Sequence, residues 1–195
     1  MEGQIDYQPV IERMLSGNKQ AYGDLYELTI QDVYRTVHFL IEDKSDADDL
    51  VQDIYIQVWK SIGKYKSDRQ FKPWLMGIVM KQVKAYRRKR WMSYRVVKKV
   101  QELEQVTVLD FSNEIVNKIT NQQLVHLVNE LPYKLKQVII LRYLNGYSQE
   151  EVATILEIPL GTVKSRINSA LKKLRAKGSN KKFSFRESEE IINES

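Results

Sequence analysis

Apolar residues recur along the chain at steps of three and four, not in alternation, and glycine and proline are too scarce to interrupt those steps. The pattern predicts an all-α protein. Tyr22, Leu25 and Tyr26, then Val33, Val37 and Leu40, mark a first helical region. A second helix opens at Ser45, which is expected to cap it, with Asp48 three residues on completing a capping-box-like pair. Leu50, Ile54, Val58 and Ile62 follow at i+4 steps as a core-facing stripe. After a polar turn over 64–70, Phe71, Trp74, Leu75, Ile78 and Val79 restart the pattern and run into a basic segment.

From Tyr94 to Ile115 the pattern weakens. Glu102, Glu104, Thr107, Asp110, Ser112 and Asn113 break up the apolar positions, and β-branched residues lower helix propensity. The reading is two small helical domains, 1–93 and 119–176, joined by a linker over 94–118 and followed by a disordered tail over 177–195. Leu131-Pro132 marks a helix stop in the second domain, because the residue before a proline is pushed out of the α region.

Ser148 and Glu151 form a capping box that starts a helix with Val152, Ile155 and Leu156 on its buried side. The small Ala153 lets another helix approach. Glu157-Ile158-Pro159 is a short turn, after which Val163, Ile167, Ala170, Leu171 and Leu174 face inward. The opposite side holds Thr162, Lys164, Ser165, Asn168, Ser169 and Lys172, and Arg166 completes a Lys-Ser-Arg cluster near the helix start. Such short donors and cations suit base edges and phosphates. Periodicity alone fits a plain amphipathic pair equally well. The alanine, the turn and the basic cluster favour a helix-turn-helix with its second helix in the DNA major groove. Glu157 stands where such turns usually carry glycine in a left-handed conformation, a strain of about 1 kcal/mol.

The first domain has two polar surfaces. Asp46, Asp49, Asp53 and Gln57 share one helix face, flanked by Asp48 and Gln52. Aspartates in a first turn are favoured by the helix dipole, so a solvated face and a docking face both fit. Between Lys81 and Lys99 come Lys84, Arg87, Arg88, Lys89, Arg90, Arg95 and Lys98 with no acidic residue among them, and Tyr86, Trp91 and Tyr94 are interleaved. Cations track a phosphate backbone while rings stack on unpaired bases, which suits single-stranded DNA. Phe71 and Trp74, spaced with Leu75 and Ile78, read as core.

Composition narrows the choice. The 195 residues are 43% hydrophobic, enough for packed cores, and the net charge of +6 suits a polyanionic partner. The absence of cysteine excludes disulfides, thiolate metal sites and cysteine nucleophiles. No apolar run approaches the roughly 20 residues of a membrane span, and Met1–Asp6 has no signal-peptide character, so a cytoplasmic protein is expected. His38 and His126 lie far apart, and no phosphate loop, metal-spaced cluster or nucleophile motif appears. No catalytic or metal residue, cofactor or small-molecule substrate is therefore expected. The rival is a self-sufficient helix-turn-helix regulator, which would bind DNA as a symmetric dimer and leave the basic-aromatic and acidic surfaces unexplained.

Taken together, these parts closely resemble a bacterial sigma factor of the two-domain extracytoplasmic-function group. The N-terminal match is Asp46-Ala47-Asp48-Asp49-Leu50-Val51-Gln52-Asp53 with Val58-Trp59, then Phe71-x-x-Trp74-Leu75-x-x-Ile78. The C-terminal match is Leu131-Pro132, Val138-Ile139-x-Leu141-Arg142 and Gly161-Thr162-Val163-Lys164-Ser165-Arg166. The resemblance implies a region 2 bundle and a region 4 helix-turn-helix. It implies that Asp46, Asp49, Leu50, Gln52, Asp53 and Gln57 dock on the β′ clamp helices of core RNA polymerase, with the β flap a further polymerase contact. It assigns Lys81, Lys84, Tyr86, Arg87, Arg88, Lys89, Arg90 and Trp91 to the opened −10 element, and the polar side of the last helix to the −35 element. It also implies an anti-sigma partner and a linker passing through the polymerase channel. Four positions depart from the family pattern: Lys81 and Ala85 stand where base-reading asparagine or aspartate is usual. Ser169 and Leu171 replace frequent arginines, so weaker duplex binding is expected.

Overall fold

The computed structural model describes residues 6–66, 68–98 and 122–179, and every regular element among them is helical. The chain divides into two compact units.

The first contains α1 (Gln8–Leu15), α2 (Lys19–Leu40), α3 (Ala47–Ser61) and α4 (Phe71–Lys98). Gly17 ends α1 at φ 88°, a conformation that glycine adopts without a Cβ clash. The amides of Gly17 and Asn18 turn back to the carbonyls of Met14 and Arg13, each at 3.0 Å. Asn18 then caps α2, its Oδ1 accepting the amides of Gln20 at 2.9 Å and Ala21 at 3.3 Å. Helices α1 and α3 pack on α2, and α4 packs on α3 while touching α2. Leu25, Val33 and Val37 of α2, Leu50, Ile54 and Val58 of α3, and Leu75, Val79 and Val83 of α4 are all buried. Thr29 is buried among them with its hydroxyl donating to the Leu25 carbonyl at 2.7 Å and lying 2.8 Å from the Tyr55 hydroxyl. Burial pushes the Tyr55 phenol well up, so it remains a neutral partner.

Two expectations for this unit need correction. Ser45 does not cap α3. Asp43 accepts both the Ser45 amide at 3.2 Å and its hydroxyl at 2.7 Å, so the serine is occupied before it reaches the helix. A 3-10 turn, Lys44–Asp46, leads into α3 instead. Helix α4 also runs past residue 93 to Lys98, through Val96 and Val97. Extending an existing helix fixes one residue per hydrogen bond, which low-propensity valines tolerate far better than nucleation. The remainder of the expected linker lies outside the described residues.

The second unit is built around α5 (Gln122–Asn129), α6 (Tyr133–Ile139) and α8 (Leu160–Ser179), with α7 (Gln149–Leu156) joined to α8 by a short turn. Pro132 separates α5 from α6 as expected, and α6 continues as a π-helical turn, Ile140–Leu144. Leu127, Leu131, Ile139, Ala170 and Leu174 form the core, with Val128, Leu135 and Leu171 packed against it. The capping box is present: the Ser148 amide donates to Glu151 at 2.7 Å and the Glu151 amide to the Ser148 hydroxyl at 3.1 Å. Helix α8 includes Lys177, Gly178 and Ser179, which the expected tail had claimed. Residues 180–195 lie outside the described residues.

Glu157 adopts φ 53°, the only non-glycine residue with positive φ among those described. The Ile158 amide reaches back to the Ala153 carbonyl at 3.1 Å, closing the α7 terminus around it. Glu157→Gly relieves the Cβ strain and is expected to stabilise this unit by about 1 kcal/mol. Native-state hydrogen exchange of the α7 and α8 amides measures it; faster exchange in the variant would refute the strain.

Candidate nucleic-acid interface

Helix α8 sorts its residues as the helical period requires. Val163, Ile167, Ala170 and Leu174 are buried, while Lys164, Ser165, Asn168, Ser169 and Lys172 are exposed. Thr162 and Arg166 are half-buried at the edges of that surface. The Ser165 hydroxyl donates to the Thr162 carbonyl at 3.0 Å. The start of the helix, where a recognition helix meets base edges, therefore carries Thr162, Lys164, Ser165 and Asn168 together on its solvent side.

In the first unit, the acidic face of α3 is solvent-exposed at Asp49, Gln52 and Asp53. Gln57 is half-buried and donates to the Ser61 hydroxyl at 2.9 Å. Leu50 does not belong to that surface. It is 6% exposed and packs in the core, as its place on the apolar stripe dictates. Two residues that the sequence analysis did not assign to this face lie beside it. Ile56 and Trp59 are 50% and 46% exposed on the same helix, and Trp59 meets Tyr22 edge-on at 5.2 Å between ring centres.

The basic segment of α4 divides into two sides. Lys81, Lys84, Arg88, Lys89 and Trp91 are exposed, Trp91 by 57%. Tyr86, Arg87 and Arg90 instead face the turn between α2 and α3. The Tyr86 hydroxyl donates to Asp46 at 2.5 Å, and Arg90 reaches the same carboxylate oxygen at 3.1 Å. Arg90 also pairs with Asp43 at 3.0 Å, and Arg87 with Glu42 at 2.8 Å. Arg87 further donates to the Leu40 carbonyl at 3.4 Å. Burial first, and the Asp46 hydrogen bond second, push the Tyr86 phenol up to about 12, so it is a neutral donor. The Ser45 hydrogen bonds, ahead of Arg90, hold the Asp43 carboxyl below its usual range.

Asp46 is thus turned toward α4 and is no part of an open acidic face. The sequence reading missed Glu42 and Asp43 altogether, and only the i,i+4 placement of Tyr86 and Arg90 hinted at a shared partner. A cleft of about 310 Å³ opens beside these groups, lined by Glu42, Tyr86, Arg87, Arg90 and Trp91. Among the described residues no group of three or more histidine and carboxylate side chains is placed to hold a metal ion. No described helix is long and apolar enough to cross a membrane.

A helix-turn-helix in one unit and a cationic helix beside an acidic one in the other define a helical nucleic-acid-binding protein. Residues 25–92 match the family described as Sigma-70 region 2, and residues 121–174 match Sigma-70, region 4. The chain is 26% identical over 182 residues to the ECF RNA polymerase sigma factor SigW of Bacillus subtilis, covering 85% of this chain and 92% of that one. It is 27% identical over 176 residues to the ECF RNA polymerase sigma-E factor of Escherichia coli, covering 86% and 91%. The fold is similar to that of the sigma factor RpoE from Bartonella quintana, solved with the anti-sigma factor NepR. That likeness has a TM-score of 0.65 at 23% identity and covers 80% of this chain and 94% of that one. It is also similar to CnrH, solved with the cytosolic domain of CnrY, with a TM-score of 0.61 at 24% identity over 86% and 93%. The chain belongs to the sigma-70 family, as a two-domain extracytoplasmic-function sigma factor. Such a protein binds RNA polymerase and directs it to promoters for transcription initiation.

Proposed function

We propose that the two units divide promoter recognition between them, with α4 holding the opened −10 element and α8 reading the −35 element as duplex. The observation that carries this is the pairing of an exposed cation-and-ring stripe on α4 with a polar, cationic helix-turn-helix surface on α8. Lys81, Lys84, Arg88, Lys89 and Trp91 offer phosphate contacts and a ring for an unstacked base. Binding only the unpaired product draws the melting equilibrium toward the open strand. Lys164, Ser165 and Asn168 offer base-edge contacts, and Thr162, Arg166, Ser169 and Lys172 position the duplex. Region 2 would then occupy 1–98 and region 4 would extend from about 119 to 179.

Asp49, Gln52, Asp53 and Gln57 would dock on the β′ clamp helices. A charged face alone is commonly a solvated one. Ile56 and Trp59, exposed beside it, give this face the mixed apolar and polar character of an interface. Asp46 serves there through its hold on α4 and not by direct contact. The β flap would meet the second unit. An anti-sigma factor is a further partner, supported by the two structural relatives solved with such proteins or with a cytosolic domain. The chain does no chemistry itself, since the polymerase supplies catalysis, and it acts in the cytoplasm where the polymerase is.

Transcription from genomic fragments by core polymerase, with and without this chain, tests the reading. Specific initiation only in its presence, with weak DNA binding by the chain alone, is expected. Tight, specific DNA binding without polymerase and no stimulation with it would favour the self-sufficient regulator.

A further inference from the structure

The inner side of α4 is unusual for a DNA-binding surface because its two guanidinium groups already have anionic partners. Arg87 meets Glu42, and Arg90 meets Asp43 and Asp46. Neither docking nor base reading uses Glu42 or Asp43. Both sit on the turn that joins α2 to the 3-10 entry of α3, and Glu42 lines the cleft together with Tyr86 and Trp91.

We propose that this cleft is a phosphate site for single-stranded DNA, whose arginines are held by Glu42 and Asp43 until a backbone phosphate takes the carboxylates' places. The inference rests on α4 being the DNA-binding helix, and adds how that site is regulated. Carboxylate and phosphate oxygens present guanidinium with equivalent charge-assisted acceptors, so the exchange keeps every arginine hydrogen bond. The exposures allow it: the Arg87 side chain is 28% exposed and the Glu42 side chain 71%, so the glutamate can swing outward while the arginine stays seated. Tyr86 remains on Asp46 and keeps the floor of the cleft fixed. Trp91 stands exposed at its rim, where it can stack on the neighbouring base. Each of these partly exposed ion pairs holds its cation by about fivefold, so the pairing is a reversible cover that a polyanion displaces. The free chain therefore binds nucleic acid less well than its positive charge implies.

The test is fluorescence anisotropy of the full chain with a labelled, mixed-sequence single-stranded oligonucleotide. Glu42→Gln/Asp43→Asn is compared with Glu12→Gln/Glu27→Gln, an equal charge change on α1 and α2. Asparagine at position 43 keeps the side-chain oxygen that accepts the Ser45 amide, so the turn is preserved. The first variant is expected to bind about fivefold more tightly than the control. Glu42→Gln alone, at a side chain that caps nothing, should shift binding in the same direction. Equal affinity of the double variant and its control overturns the proposal. So does weaker binding, which would mean that the carboxylates orient the arginines for DNA. Lys81→Ala/Lys84→Ala on the outer stripe checks the underlying reading separately. Unchanged binding there removes α4 as the DNA surface and the proposal with it, whereas weakened binding with equality in the first comparison removes the proposal alone.

Discussion

Val163→Asp is expected to unfold the C-terminal unit. Val163 is fully buried where α8 leaves the turn, and its amide is bound to the Pro159 carbonyl at 3.2 Å. A carboxylate there has no cation to meet, and burying an unpaired charged or polar group is among the few substitutions that cost about 4 kcal/mol or more. A unit this small buries too little apolar surface to absorb such a loss. In an amide-resolved NMR spectrum of the full chain, the signals of α5 to α8 should collapse to unfolded positions while those of α1 to α4 stay dispersed. Collapse of both sets would mean that the two units do not fold separately. Retention of both would mean that Val163 is not buried as described.

Charge reversal on the proposed docking face should be as severe for function and harmless to the fold. Asp49→Lys/Asp53→Lys places two cations where two exposed carboxylates stand. Like charges set against each other at an interface cost several kcal/mol, so affinity for core polymerase is expected to fall on the order of a hundredfold. Helix content should hold, because neither side chain is in the core. Duplex binding by the second unit should also be unchanged. Core affinity within a few-fold of the parent protein would mean that this face is solvated, the alternative that its sequence also allowed.

The helices, their buried stripes and the helix-turn-helix were legible because each depends on residues within a turn or two of one another. Ser148 and Glu151 lie three apart, and their reciprocal hydrogen bonds follow from local geometry. The strained backbone at Glu157 was legible for the same reason, since the turn's length demands a left-handed residue whatever stands there. The same local reading failed at Ser45, where Asp43 competes for the serine at close range. It failed more fully on α4. A run of cations with no acid among them looked uniformly open, yet Arg87 and Arg90 meet carboxylates more than forty positions earlier in the chain. Charge pairing across a bundle depends on which helices pack and at what rotation, and a one-dimensional pattern does not carry that. Leu50 illustrates the converse error. Its periodicity placed it in the core, but its position within a family motif drew it onto the surface.

Helix α4 spans 28 residues without a break, about 42 Å at about 1.5 Å per residue. Over residues 71–92, the last one buried to less than a tenth is Val83. The helix continues fifteen residues past it, about 22 Å to its far end, with polar ties to the turn between α2 and α3 at Tyr86, Arg87 and Arg90 on the way. A change of about 5° in the tilt at Leu75, Val79 or Val83 therefore moves the far end by about 2 Å, close to the difference between a hydrogen bond and none. Conservative repacking around those three residues should leave the protein folded and change which promoters it opens, so variants with altered promoter choice are to be sought in the interior as well as on the DNA-facing side.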